Sequence, residues 1–257
     1  MAAVNNIIEV RNLSFAYGER KVLCNVDIRI PAGKFTVVIG RNGSGKSTLL
    51  RLMAGLIPLQ KGSVNIAGKA LQGLTARERA RQIGFLSQQH KAVFPFTVRE
   101  VALTGRAAHV AWMPSRRDRE IALEAIETTG IRHLENRIYT ELSGGEQQLV
   151  MIARTLAQQP EVILLDEPGS HLDYNNQLHI LKLCRQLVRK GMTVVAVLHD
   201  PNMAFGFGEH FVFVHNTKVV TADQKEASGH PALMDIFHGG LEQVSVSGRR
   251  FFIPDVK

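Results

Sequence analysis

Cysteine is almost absent from this chain of 257 residues: Cys24 and Cys184 are the only two, too few for a disulfide framework. Long apolar runs are missing as well. The longest clean ones, such as 194–198, have the length of a strand and fall far short of the roughly 18 residues of a membrane-crossing helix. The chain is therefore not expected to span a bilayer itself. Residues 1–11 lack the basic-then-apolar pattern of a secretory leader, so a reduced, cytosolic setting is expected. Blocks of five or six like charges are lacking too. Basic residues stand singly or in pairs, such as Arg116-Arg117 and Arg249-Arg250, which argues against a dedicated nucleic-acid arm. No internal repeat, low-complexity tract or Gly/Pro/Ser-rich linker breaks the sequence.

What is present fits a folded domain. Hydrophobic residues make up 45% and charged residues 21%, close to the globular average, and the length suits one large domain or a core with a smaller lobe. A net charge of +8 admits nucleic acid, a nucleotide polyphosphate or an anionic membrane surface as neighbour. Loose alternation over 7–13 and clean alternation over 26–30 predict antiparallel strands near the start. The β-branched run 35–39 predicts a buried strand, and a helix is expected over 46–55. Strands are expected at 63–66, 82–86, 161–165 and 193–198, with a hairpin over 211–214 and 218–220. Helices are expected over 118–129, with Asp118 at the N-cap, over 143–157 behind a Ser143/Glu146 capping box, and over 175–190. Strands alternating with helices imply an α/β architecture with a largely parallel sheet, interrupted by a helical lobe at roughly 97–154.

The chemistry begins at Gly40-Arg41-Asn42-Gly43-Ser44-Gly45-Lys46-Ser47, which fits G-x-x-x-x-G-K-[ST] without exception. Its glycines let the backbone wrap so that N–H groups and the N-terminus of the following helix point at phosphate oxygens. Lys46 is expected on the β/γ-phosphates and the Ser47 hydroxyl on Mg²⁺. The strand Val162-Ile163-Leu164-Leu165 ends in Asp166-Glu167, at the edge of the sheet where α/β folds bind ligands. Asp166 suits the magnesium shell. Glu167, pointing differently, can take a proton from an attacking water. His199 closes another apolar strand and can hydrogen-bond a γ-phosphate. Gln88 also follows a strand and can ligate Mg²⁺ or sense that phosphate. The other histidines show no metal-ligand spacing.

Leu142-Ser143-Gly144-Gly145-Glu146-Gln147 changes what these pieces mean together. With the glycine loop upstream, the sequence resembles an ATP-binding-cassette (ABC) ATPase from about residue 7 to 220. The resemblance implies a P-loop cassette with a RecA-like core (approximately 1–96 and 155–220), an N-terminal antiparallel β subdomain, a helical signature lobe (approximately 97–154) and a C-terminal extension (221–257). It also implies that Tyr17 stacks on adenine, that residues 40–48 including Thr48 hold the phosphates, and that Gln88 is the Q-loop glutamine. Ser170-His171-Leu172-Asp173 becomes the D-loop and His199 the switch histidine. Two copies pair head to tail, so that Ser143, Gly144 and Gly145 bind the γ-phosphate held by the partner's Lys46. ATP and Mg²⁺ are the implied cofactors.

Within that family, residues 96–106, Asn175-Asn176-Gln177 and Val197-Leu198-His199-Asp200-Pro201-Asn202 resemble importers of iron chelates (siderophores), haem and cobalamin. The implied partners are a second copy of the chain, two copies of a polytopic permease and, indirectly, a periplasmic or surface binding protein, with the subunit peripheral on the cytoplasmic face of the membrane and no nucleic acid bound. Gln147, Leu149, Gly169 and Pro201 depart from the usual residues, as does the absence of a glycine near Asn216-Thr217. A soluble cassette ATPase acting on ribosomes or DNA usually carries two cassettes or a long coiled-coil insert, for which this length leaves no room. An exporter subunit is disfavoured by the importer-like segments. Val93, Phe94, Pro95 and Phe96 follow Gln88 closely and offer apolar area for a short permease helix, or else fill the core of the lobe.

Overall fold

The computed structural model describes residues 5–88, 95–237, 240–246 and 249–254. In chain order its elements are β1 (Asn6–Tyr17), β2 (Arg20–Pro31), β3 (Phe35–Gly40), α1 (Lys46–Met53), β4 (Lys61–Ile66), β5 (Lys69–Ala70), α2 (Ala76–Gln82), β6 (Ile83–Leu86), α3 (Val98–Leu103), α4 (Arg116–Thr128) and α5 (Gly144–Ala157). These are followed by β7 (Val162–Leu165), α6 (Tyr174–Arg189), β8 (Thr193–Val197), α7 (Pro201–Phe207), β9 (His210–His215), β10 (Lys218–Asp223), α8 (Gln224–Ala227), α9 (Pro231–Phe237), β11 (Leu241–Val246) and β12 (Arg249–Pro254). They form two compact units, Met1–Gln72 with Thr193–Lys257, and Gly73–Met192. Among the described residues no helix is long and apolar enough to cross a membrane.

The first unit holds an antiparallel sheet ordered β2-β1-β4-β5 and a mixed run ordered β10-β9-β3-β8. Every residue of β3 and β8 is buried, which is why both read as continuous apolar runs without alternation. Each buried Val or Ile contributes about 1.5–3 kcal/mol. β3 runs parallel to β8 with Val38 opposite Val197. Gly40 and His199, two residues further along, therefore leave the same edge of the sheet. The expected hairpin over β9 and β10 forms and extends to Asp223. Its turn residues Asn216 and Thr217 both have positive φ, 46° and 65°, as a two-residue primed turn requires. The Thr217 carbonyl accepts from the Cys24 N–H at 2.9 Å, tying the hairpin to β2.

In the second unit β6 and β7 run parallel with Leu86 opposite Leu165. Helices α3, α4 and α5 pack on one another. A buried cation joins them: Arg106 donates to Asp118 Oδ1 (2.9 Å), to the Ala157 carbonyl at the end of α5 (2.8 Å) and to Gln159 Oε1 (3.0 Å). Asp118 is not the N-cap of α4. Ser115 is, and Asp118 is the reciprocal member of its capping box, because a carboxylate three residues on can reach back to the cap N–H. The helix expected behind the Ser143/Glu146 capping box forms over Gly144–Ala157 with Ser143 as its N-cap. Neither cysteine is in a disulfide, and burial pushes the Cys184 thiol up to about 12, which leaves it inert.

Candidate functional site

In the first unit, β3 stops at Gly40 and α1 starts at Lys46, so five residues must turn the chain sharply. A Cβ on Gly40 would lie 2.4 Å from the Val214 carbonyl oxygen, and one on Gly45, at φ +106°, would lie 2.7 Å from Val22 Cγ1. Only glycine fits either place. The loop so formed packs its backbone against β2 and β9 and leaves Arg41, Asn42 and Gly43 exposed. No side chain caps α1 and its first turn has no acidic residue, so its N-terminal N–H groups keep their positive end for an anion. Lys46, only 4% exposed, donates to the Gly40 and Arg41 carbonyls at 2.9 Å each. The buried Ser44 hydroxyl has no hydrogen-bond partner, an orphan that a phosphate oxygen would satisfy. Beside the loop lies a cavity of about 290 Å³ lined by Arg20, Lys21, Val22, residues 41–44 and the turn 215–217. Ser47 is half-buried and Thr48 buried in α1. Tyr17, at the end of β1, packs an edge on Phe15 (4.9 Å) yet is 50% exposed, leaving ring surface for a base. His199 is exposed.

In the second unit, the parallel register of β6 and β7 brings Gln88 to Glu167: the Gln88 amide donates to Glu167 Oε2 at 2.6 Å. Glu167 sits at φ +54°, a region a non-glycine residue occupies at a cost. The Ser170 N–H and hydroxyl both donate to its carbonyl, at 3.1 and 3.0 Å, and hold it there. Asp166, 1% exposed, donates its N–H to the Leu86 carbonyl. Ser47 in the first unit, and Gln88 and Asp166 in the second, carry oxygen donors, the kind a hard cation such as Mg²⁺ takes. Among the described residues no three His, Cys, Asp or Glu side chains gather into a metal site.

The signature stretch opens α5. Ser143 caps it, and Glu146 Oε2 accepts from both the Ser143 hydroxyl (2.7 Å) and the Ser143 N–H (2.8 Å), which holds the Glu146 carboxyl below its usual range. Ser143 and Gly144 are exposed and Gly145 is buried. A Cβ on Gly145 would meet the Asn176 amide at 2.7 Å. Asn176 in turn is held by Asp173, which caps α6: Oδ1 accepts from the Asn176 N–H (2.9 Å) and Oδ2 from its side-chain amide (2.7 Å). Asp173 thus reaches the signature through Asn176.

The structure brings residues 40–48 together in one unit, and Gln88 with Glu167, and Ser143 to Gly145 with Asp173, in the other. Arg20 beside the loop carries no signal in the sequence, and although Ser170, Asn176 and Asn216-Thr217 lie in segments the sequence singles out, their contacts with the Glu167 carbonyl, Gly145 and the loop cavity do not show there; only the spacing Asp173 to Asn176, a cap and its N3 residue, carries a signal. The departures are absorbed locally. Gln147 donates to the Tyr139 and Leu142 carbonyls, Leu149 is buried, and Pro201 takes the first position of α7, where a missing N–H costs nothing. A Cβ at Gly169 would press on Gln177 at 3.0 Å. Val93 and Phe94 lie outside the described residues; Phe96 is 48% exposed.

The family model described as ABC transporter matches residues 23–170. The petrobactin import ATP-binding protein FpuC of Bacillus anthracis is 35% identical over 252 residues, 96% of this chain and 93% of that protein. The hemin import ATP-binding protein HmuV of Gloeobacter violaceus is 41% identical over 208 residues, 78% of this chain and 76% of the relative. A metal-chelate type ABC transporter solved in an inward-facing conformation superposes with a TM-score of 0.84 at 30% identity, over 97% of this chain and 98% of that one. A dimeric, post-hydrolysis ATP-binding cassette bound to ADP and phosphate superposes at 0.74 and 32% identity, over 84% and 98%.

Proposed function

Because the chain belongs to the ABC transporter family, whose import ATP-binding proteins are ATPases coupled to transport, we propose that it powers uptake of a ferric siderophore, haem or related metal chelate. The names of the petrobactin and hemin relatives support that cargo class. The observation that carries the ATPase reading is the glycine loop with its orphaned Ser44 hydroxyl and its buried Lys46.

Each residue has a role in this proposal. Tyr17 stacks on the adenine. Loop N–H groups of residues 40–48, the Lys46 ammonium and the start of α1 offset the charge of the phosphates. Ser47, Gln88 and Asp166 are the groups that would hold Mg²⁺, which when bound neutralises charge developing on the β- and γ-phosphates. Glu167 takes the proton of the attacking water, a role worth about 10²- to 10⁴-fold in rate. His199 donates to the γ-phosphate. Ser143, Gly144 and Gly145 belong to the γ-phosphate of a second copy, which makes the working unit a homodimer in which ATP is part of the interface. The known dimeric cassette supports that arrangement. Two copies of a permease, a binding protein outside, and a position on the cytoplasmic membrane face complete the assembly. Half-exposed Phe96, eight positions after Gln88 in the sequence, suits contact with a permease helix.

Reconstitution with a permease that the subunit binds, followed by ATP-driven uptake across a panel of ferric siderophores, hemin and cobalamin, tests this directly. Accumulation of one class that stops in Lys46→Ala is expected. ATP turnover with no uptake of any of them, or turnover stimulated by ribosomes or DNA instead, would overturn it.

A further inference from the structure

We propose that Asn202 is a positioning residue for His199, acting through the C-terminal hairpin β11–β12; this rests on the role given to His199 above. The histidine lies between the end of β8 and a short helix. Leu198 donates its N–H to the Val38 carbonyl at 3.2 Å, and Asp200 caps α7 by accepting from the Met203 N–H at 2.7 Å. α7 has seven residues, too few to hold its own geometry. Its place is set by what it touches.

Two contacts come from the far end of the chain. The Asn202 side-chain amide donates to the Phe252 carbonyl at 3.0 Å, and the Phe252 N–H donates to Asn202 Oδ1 at 2.8 Å. This amide satisfies the outer edge of β12 as a further strand would. One turn on, Phe205 lies between Phe211 of β9 (4.6 Å) and Phe252 (4.7 Å), and Phe252 is buried. A two-stranded hairpin is marginal alone, so hairpin and helix fix one another. The turn His199-Asp200 is thereby fastened at one side by β8 and at the other by residues about fifty positions later.

The full-length subunit tests this. In Asn202→Ala the turnover number should fall about 10- to 100-fold, the cost of a misplaced catalytic group, while nucleotide affinity holds and the protein still melts cooperatively. The His199 Cε1–H resonance should shift. Asn202→Ala added to His199→Ala should slow the residual rate no further, and Gln243→Ala on β11 should leave the rate unchanged. A wild-type turnover number in Asn202→Ala beside an inactive His199→Ala overturns this inference alone. Wild-type turnover in His199→Ala overturns it together with the role of that histidine.

Discussion

Gln88 and Glu167 share a 2.6 Å hydrogen bond, so the residue assigned to sensing the γ-phosphate and the residue assigned to accepting the proton of the attacking water are in direct contact. Both lie two positions beyond the paired Leu86 and Leu165. Whatever moves the glutamine therefore changes the number of lone pairs the carboxylate has available.

Gln88→Ala should keep ATP affinity and lower turnover by about tenfold, equivalent to about 1.4 kcal/mol in the barrier. Affinity by fluorescent nucleotide titration and turnover by phosphate release separate the two effects. Wild-type turnover would remove the contact from the mechanism.

Gly145→Ala should be damaging because the new methyl meets the Asn176 amide at 2.7 Å. The overpacking cost is about 1–3 kcal/mol. Asn176→Ala, which clears the space, should restore most of the melting temperature in the double variant. A double variant as unstable as Gly145→Ala would show that the clash lies elsewhere.

The Arg106–Asp118 pair should make the lobe acid-sensitive. The Ser115 hydroxyl, and then Arg106, hold the Asp118 carboxyl at about 2, below its usual 3.8. A depressed folded value means stability that is fully present above about pH 4 and lost as pH falls through about 2. Urea melts between pH 7 and 2 should show a steeper acid loss for wild type than for Asp118→Asn. Arg106→Ala should lower the melting temperature of the protein, because it removes at once the hydrogen bonds to Asp118, the Ala157 carbonyl and Gln159. Equal acid loss in Asp118→Asn and wild type would contradict the assignment.

Ser143 does two things, and substitutions can separate them. Ser143→Thr keeps a capping hydroxyl and should keep both stability and turnover. Ser143→Arg forfeits about 1 kcal/mol of cap yet should retain nucleotide affinity in the monomer while losing hydrolysis. If affinity and turnover fall together, Ser143 is a helix cap and nothing more.

Much of this was legible in the sequence because the signals are local. Buried β-branched runs gave β3, β7 and β8, and the glycine loop announced its own strand, turn and helix. The capping box at Ser143 and Glu146 is legible, whereas the same device at Ser115 and Asp118 is not, because an aspartate at the third position is itself a good N-cap residue and so masks the serine before it. Other features lie in contacts between distant segments. Asn176 beneath Gly145 and Asn202 on Phe252 are tertiary relationships with no periodicity to betray them. α7 is too short to show a pattern, and β11 and β12 make a two-stranded hairpin that is marginal alone, so packing rather than propensity forms them.

Glu167→Gln bears most directly on the central claim, that this chain is a hydrolysing cassette working as an ATP-bonded pair. Its mass in solution, followed by size-exclusion chromatography with light scattering in ATP and Mg²⁺ while phosphate release is recorded, gives both answers at once. The expected result is a stable dimer with ATP retained and turnover reduced by about 10²- to 10⁴-fold. A monomer that hydrolyses ATP at the wild-type rate would contradict the account.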